Sequence, residues 1–247
     1  MLVYHLLSFK TIIVKQNRKA FNITIKSASM NSGDNMNYMD ILNSDYFKKT
    51  YATIEELKKD FPVNHGFIHV YNVINNAKRL AQTFHLNEHQ KELLLLAASL
   101  HDIGYLNGRD DHAYNGSILA IKILKEWGYN DKDTQSISIA IANHGGKKKE
   151  DYLDIISMCL IIADKLDFIN TRYDTTRLKE DYLTTFPYIK ETYIDYLENE
   201  IILNIKVTKE FNLTIFENSS YYRKLESFLY LLSDRLNSSY KIQFIIV

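Results

Sequence analysis

Every residue from Leu93 to Leu100 is apolar or small, in the order Leu-Leu-Leu-Leu-Ala-Ala-Ser-Leu. The run predicts a helix apolar nearly all round, extending from about Glu88, and such a helix has to lie at the centre of a bundle. A second apolar stretch, Ile155 to Ala163, lies between Asp154 and Asp164-Lys165. It falls short of the ~18 residues needed to span a membrane, so it reads as a core helix within about Asp151 to Ile169. Around these, Phe67, Val70, Tyr71, Ile74, Ala77, Leu80, Ala81 and Phe84 recur at helical spacing and predict a helix from about Gly66 to Phe84. Ala113 to Trp127 and Thr134 to Asn143 show the same period, and Ile41 to Phe61 gives a helical pattern that Pro62 ends. With two prolines and eight glycines in 247 residues, the chain has little of the punctuation that a strand-and-turn architecture needs.

The pattern changes after about residue 198. Ile201 to Val207 and Phe211 to Phe216 alternate like strands around a turn at Thr208 to Glu210, Tyr221 to Leu236 reads as an amphipathic helix, and Lys241 to Val247 as a last strand. At the other end, Phe21 to Lys26 alternates like a strand and Asn31 to Asn35 is polar. Met30, Met36 and Met39 are alternative starts, and residues 1 to 10 lack the charged leader and cleavage site of a signal peptide. The expected organisation is a mainly α chain: an N-terminal extension over 1–36, a helical domain over 37–198, and a small β-β-α-β appendage over 199–247 with a regulatory or dimerising role.

Thirty basic residues balance thirty acidic ones. No overall field draws the chain to nucleic acid or to a membrane surface, and an anionic ligand needs a local cluster of cations. A single cysteine, Cys159, excludes a disulfide framework and a thiolate zinc site, and it fits a reducing, cytoplasmic compartment.

Five of the eight histidines, His65, His69, His101, His112 and His144, fall at the ends or on the faces of these helices. Histidine and carboxylate are the ligands that suit divalent metals where cysteine is lacking. His65 and His69 are one helical turn apart and project from one face. His101 and Asp102 end the central helix, where the loop from Gly104 lets both turn toward a common point. Asp164 closes the apolar helix, where a cation would compensate its carboxylate; read alone it is equally a cap or the partner of Lys165. His85 and His89 read as structural.

Three ordered segments, His69-Val-Tyr-Asn-Val73, Leu94-Leu-Leu-Ala-Ala-Ser-Leu-His-Asp-Ile-Gly104 and Ile162-Ala-Asp-Lys-Leu-Asp167, resemble the signatures of the HD-domain metal-dependent phosphohydrolase superfamily. The resemblance covers about residues 62–175 and implies an HD-type helical bundle. It also implies that His69, His101, Asp102 and Asp164 hold a divalent metal, with Asp102 bridging to a second ion. His112 and His144 are similar to the extra histidines of the binuclear branch, and His65 is a further candidate. Two cations acidify a water and offset a phosphate's charge, so no protein nucleophile is required. In this reading Asp102, His112 and Arg109 take part in catalysis, and Arg109, Lys147, Lys165 and Arg172 bind the substrate. The arginines can grip phosphate through paired hydrogen bonds. Lys147 starts a lysine run that looks like an exposed turn, and Lys165 directly follows a ligand on a helix, which would point it away from the metals.

Tyr105 stands where the cyclic-dinucleotide phosphodiesterase branch has lysine, and the Gly-Tyr-Pro element of that branch is missing, which argues against that activity. The expectation is a hydrolase for a nucleotide or other small phosphoester, loaded with two divalent ions. Manganese, iron or another transition metal is favoured over magnesium. The chain would act without nucleic-acid or membrane partners, with a homodimer as an option. The alternative is a non-catalytic metal- or nucleotide-binding regulatory module.

Overall fold

Short polar side chains set where the helices begin. In the computed structural model, which describes residues 9–16, 19–26 and 37–247 (the first two stretches as paired backbone), Asn37 and Asn87 each open a helix with a capping box. Asn130 and Asp154 accept from the backbone N–H groups of Asp133 (2.9 Å) and Ser157 (2.8 Å). These caps satisfy N–H groups that would otherwise be unpaired at a helix start. They also correct two sequence-based bounds: the sixth helix begins at Asp131 and the seventh at Ile155, preceded by a 3-10 turn at Lys149–Tyr152.

In chain order the elements are the antiparallel strands β1 (Phe9–Gln16) and β2 (Lys19–Lys26), then α1 (Tyr38–Asn43), α2 (Asp45–Lys58), α3 (Phe67–Thr83), α4 (Glu88–Leu100), α5 (His112–Glu126), α6 (Asp131–Asn143) and α7 (Ile155–Lys165). The short α8 (Glu180–Leu183) leads to β3 (Ile189–Leu197) and β4 (Glu200–Val207), then α9 (Leu213–Glu217), α10 (Ser220–Leu236) and β5 (Ser239–Ile246). The strand expected over Phe21–Lys26 lies in β2; Asn31 to Asn35, Met30, Met36 and residues 1–8 lie outside the described residues.

The fold is mainly α. All of Leu93–Leu100 on α4 and Ile156–Ala163 on α7 is buried, as their all-round apolar character requires. α3 covers them with Val70, Val73, Ile74, Ala77, Leu80 and Ala81. None of the helices among the described residues is long and apolar enough to cross a membrane.

The C-terminal sheet has the order β3-β4-β5, with β3 and β4 antiparallel and β5 parallel to β4. The β-β-α-β order is therefore present, but the assignment of its first two strands is corrected. The partner of β4 is the upstream Ile189–Leu197, while Phe211–Phe216 is not a strand: Asn212 accepts from the Ile215 N–H (3.0 Å) and starts α9. The hairpin turn, Glu198-Asn199, has both residues at positive φ (49° and 63°), as a type I′ turn requires. Glutamate is a poor sequence marker for that conformation. The boundary expected at 198 thus falls inside a hairpin.

The sheet unit is docked on the bundle by polar contacts. Thr192 donates to the carbonyl of Leu166 at the end of α7. Arg235 of α10 donates to the carbonyls of Tyr152 and Leu153, both at 3.0 Å. The segment after α7 is pinned beside α3 by Asn64 N–H to Arg172 O (2.8 Å) and Asp174 N–H to Pro62 O (2.9 Å).

Candidate metal centre

α4 ends at His101, which keeps helical angles, and Asp102 then leaves the helix into a 3-10 turn at Ile103–Asn107. This break aims the two side chains at one point. The start of α5 reaches the same point because the backbone passes very close to the turn. A Cβ on Gly104 would lie 2.5 Å from Gly116 N and closer still to the His112 carbonyl oxygen. Only glycine at 104 allows His112 to stand over Asp102.

His69, His101, Asp102 and His144 are at most 2% exposed, and His112 and Asp164 are partly buried. Asp102 is the hub. Its Oδ2 lies 2.9 Å from His65 Nδ1, 3.3 Å from His69 Nε2 and 3.4 Å from His101 Nε2. Its Oδ1 faces the other way, 3.7 Å from His144 Nε2 and 3.9 Å from His112 Nε2. Asp164 Oδ1 completes the first group at 3.4 Å from His69 Nε2 and 3.9 Å from His101 Nε2. His69, His101 and Asp164 form one set with the spacing of metal ligands, Asp102, His112 and His144 a second, and His65, His69 and Asp102 a third.

The tautomers decide what these sets can hold. The Nδ1 atoms of His101, His112 and His144 face the backbone carbonyls of Ala98 (2.9 Å), Arg109 (3.0 Å) and Ile141 (2.7 Å). A carbonyl only accepts, so each Nδ1 carries the proton and the neutral ring offers a lone pair at Nε2. His69 is held the same way by the Asp167 carboxylate at 2.7 Å. Yet the Nε2 atoms of His69 and His101 are 3.0 Å apart, and those of His112 and His144 are 3.1 Å apart. Lone pair faces lone pair beside a carboxylate oxygen in both places, an arrangement that calls for a cation in each. The donor set therefore fits divalent metal.

The electrostatics agree. Burial alone would raise the Asp102 carboxyl, but His101, His65 and His69 outweigh it and hold it well below the usual carboxylate range. Asp164 is likewise held low, with burial overcome by Lys165, His69 and His101. Burial opposes charge on His101, yet Asp102 and Asp164 raise its pKa. His65 and His144 are both pushed down to about 4, mainly by burial.

All six histidine and aspartate positions singled out as metal ligands converge here, and His65 joins them through Asp102. Arg172 lies beside them, 7% exposed, with Nη2 3.4 Å from His65 Nδ1 and Nη1 3.6 Å from Asp167 Oδ2. Lys165 does not point away: its Nζ is 3.6 Å from Asp164 Oδ2. Arg109 is exposed, with its guanidinium 5.7 Å from the centre of the Phe61 ring. Lys147 is exposed too, in a turn where its N–H donates to Asp151, and the structure does not bring it to the cluster. His89 pairs with Asp133 at 3.0 Å and His85 follows α3 at positive φ, both away from the centre.

Two participants escaped the sequence reading. Asp167 anchors His69, and Asn72 anchors Asp167 by donating at 2.8 Å. Asn72 lies three residues beyond His69 on α3, a spacing that returns to the same face, whereas Asp167 lies past the end of α7, where no helical period places it. The Asn72 spacing was the available signal. Tyr105 stacks on His112 with ring centroids 4.2 Å apart and lies 4.4 Å from His65, and Lys58 sits over its ring, a grouping without a sequence signature.

Residues 66–169 match the family model of the HD domain. Among solved structures the chain is similar to that of a predicted HD superfamily hydrolase from an uncultured Thermotogales bacterium. The two are 24% identical over 54% of this chain and 75% of that one, with a TM-score of 0.41. No curated protein matches the chain.

Proposed function

Residues 66–169 belong to the HD-domain superfamily, and from that premise we propose that the chain is a binuclear metal-dependent phosphohydrolase acting on a nucleotide or other small phosphoester. The observation that carries this reading is the division of Asp102. One carboxylate oxygen faces the His69, His101 and Asp164 set and the other faces His112 and His144, with unprotonated Nε2 atoms opposed in each. A carboxylate so placed could serve as a ligand to a cation on each side.

Bound divalent metals supply Lewis acidity and an acidified water for in-line attack on phosphorus. The protein's part is to fix the ligands and the substrate. Asp167 and the carbonyls of Ala98, Arg109 and Ile141 hold the four imidazoles in one tautomer with Nε2 inward. Arg172, with a fixed planar fork, takes phosphate oxygens beside Asp164, and Lys165 adds a point charge. Arg109, exposed on the turn before α5 and lying over Phe61, would have to swing in to reach substrate, whereas Lys147 has no place in this arrangement.

Metal content of protein purified without chelator is the test, with about two transition-metal equivalents per chain expected. Alanine at both His112 and His144 should lower this to about one. Asp102→Ala should lose metal-dependent phosphate release while keeping its helical circular dichroism, because Asp102 lies past the end of α4. Activity retained in Asp102→Ala, or no metal uptake by the wild type, would remove the reading. Two metals without turnover on any phosphoester would favour a metal-anchored binding module.

A further inference from the structure

A cavity of about 380 Å³ opens beside Asp164, between the helical bundle and the C-terminal unit. That is within the range of small-molecule sites, ~300–1,000 Å³. Lys165 and Arg172 line it from the bundle, and Tyr221, Lys224 and Leu225 of α10 line it from the C-terminal unit. Much of the remaining wall is aromatic. Phe186 stacks on Tyr173 with centroids 4.2 Å apart and meets Tyr182 and Tyr221 edge-on at 5.0 and 5.1 Å. Phe186 is core, but the three tyrosines are only half-buried and leave ring surface facing the cavity.

Two features mark this space as a ligand site and not a packing defect. Arg172 is 7% exposed, and its buried Nη1 has no hydrogen-bond partner among the described residues, the carboxylate of Asp167 on the same cavity lying 3.6 Å away as its counterion. Its Nη2 meets only His65 Nδ1, an atom whose proton already goes to Asp102 at 2.9 Å. Asp167 balances the charge, but buried guanidinium donors that reach no acceptor at hydrogen-bond distance remain costly until the oxygens of a ligand take them. Lys224, on the same cavity, has no acidic partner among the described residues.

We infer that α10 completes the substrate cavity: Arg172 and Lys224 take the anionic oxygens of an organic phosphate, and the tyrosine wall takes a planar aromatic portion of the same molecule. The C-terminal unit then acts as a specificity determinant and not as a remote appendage. Tyrosine faces suit this because they bury a flat ring while their hydroxyls stay hydrated or paired. The assignment rests on reading Asp164 as part of the metal centre, so its test uses binding as well as metal content.

The full chain, loaded with manganese and separately metal-free, is titrated by calorimetry with adenosine 5′-monophosphate, ribose 5-phosphate and inorganic phosphate. The aromatic wall predicts that the nucleotide binds at least about tenfold more tightly than ribose 5-phosphate, a preference that Tyr182→Leu reduces. Lys224→Ala, an exposed substitution that leaves the fold intact, should weaken both phosphates by about tenfold. Equal affinity for the nucleotide and ribose 5-phosphate, or no effect of Lys224→Ala, would overturn the inference even with two metals bound. A chain that takes up no metal yet binds the nucleotide through Lys224 would sink the metal-centre reading and leave the cavity assignment standing.

Discussion

Replacing Asp167 by asparagine removes one charge and almost no volume from behind the metal centre, which makes it a direct probe of how His69 is held. The carboxylate accepts from His69 Nδ1 at 2.7 Å and from Asn72 Nδ2 at 2.8 Å, and it is the buried counterion of Arg172 at 3.6 Å. An amide can accept on one side only, so its NH2 must face either the imidazole N–H or the Asn72 amide. The mismatch of donors costs ~1–3 kcal/mol. Loss of the buried counterion of Arg172 belongs to the same network and raises the total toward ~3–5 kcal/mol, not as an independent addition. For a chain of this size that corresponds to a fall in melting temperature of roughly 6–20 °C, at ~2–4 °C for each kcal/mol. The effect on metal is separate: loss of the group orienting a ligand typically lowers affinity ~10–100-fold. Competition with a chromophoric chelator should therefore show one class of site weakened by that factor and the class built on His112 and His144 much less changed. An Asp167→Asn protein with wild-type affinity at both sites would refute the argument that Asp167 fixes the His69 tautomer.

Two further outcomes follow from the same geometry. Gly104→Ala forces a Cβ into the His112 carbonyl and Gly116 N, so α5 must move away from Asp102. The expected cost is ~1–3 kcal/mol, with loss of the metal held by His112 and His144, read by thermal melting and elemental analysis. In metal-free protein, His65 and His144 stay neutral in the fold down to about 4 but take up a proton near 6.5 once unfolded. The unfolded state then binds more protons between those values, and stability falls as the pH drops through that window, by up to ~3 kcal/mol for each histidine. His101, whose pKa is raised, contributes stability in the opposite sense below its unfolded value and offsets part of this loss. Melting temperature against pH should therefore decline from 7 toward 4.5, and His144→Gln should flatten the slope; an unchanged slope would refute the assignment of His144 as a buried neutral ring.

The helical bundle was legible because its signals are local. The all-round apolar runs on α4 and α7 have one physical solution, burial on every side, and both are fully buried. The candidate ligand residues were legible for a related reason. His101-Asp102 and Asp164 are polar groups at the ends of apolar helices, where they are either solvated or paired with something the chain does not itself contain. The resemblance implied a bridging role for Asp102, but the facing of its two oxygens toward separate groups was not legible, since it depends on Gly104 and Gly116 letting α5 come close enough to set His112 over Oδ1. The hairpin at Glu198-Asn199 was missed because neither the expected glycine nor a strong period marked the turn. Arg172 was legible as an arginine able to grip phosphate, but its burial between His65 and Asp167 rests on contacts that no spacing encodes. Tyr221 and Lys224 carry no motif, and they reach the cavity only because Thr192 and Arg235 dock the sheet unit against the end of α7 and the turn before it. The amino-acid sequence by itself thus determined which helices are buried and which residues are able to bind metal, because burial and ligand chemistry are properties of a residue and its near neighbours. Only the tertiary structure decided how the two oxygens of Asp102 are divided, which buried donors are left without an acceptor and which helix walls the cavity, because those depend on distances between segments far apart in the chain.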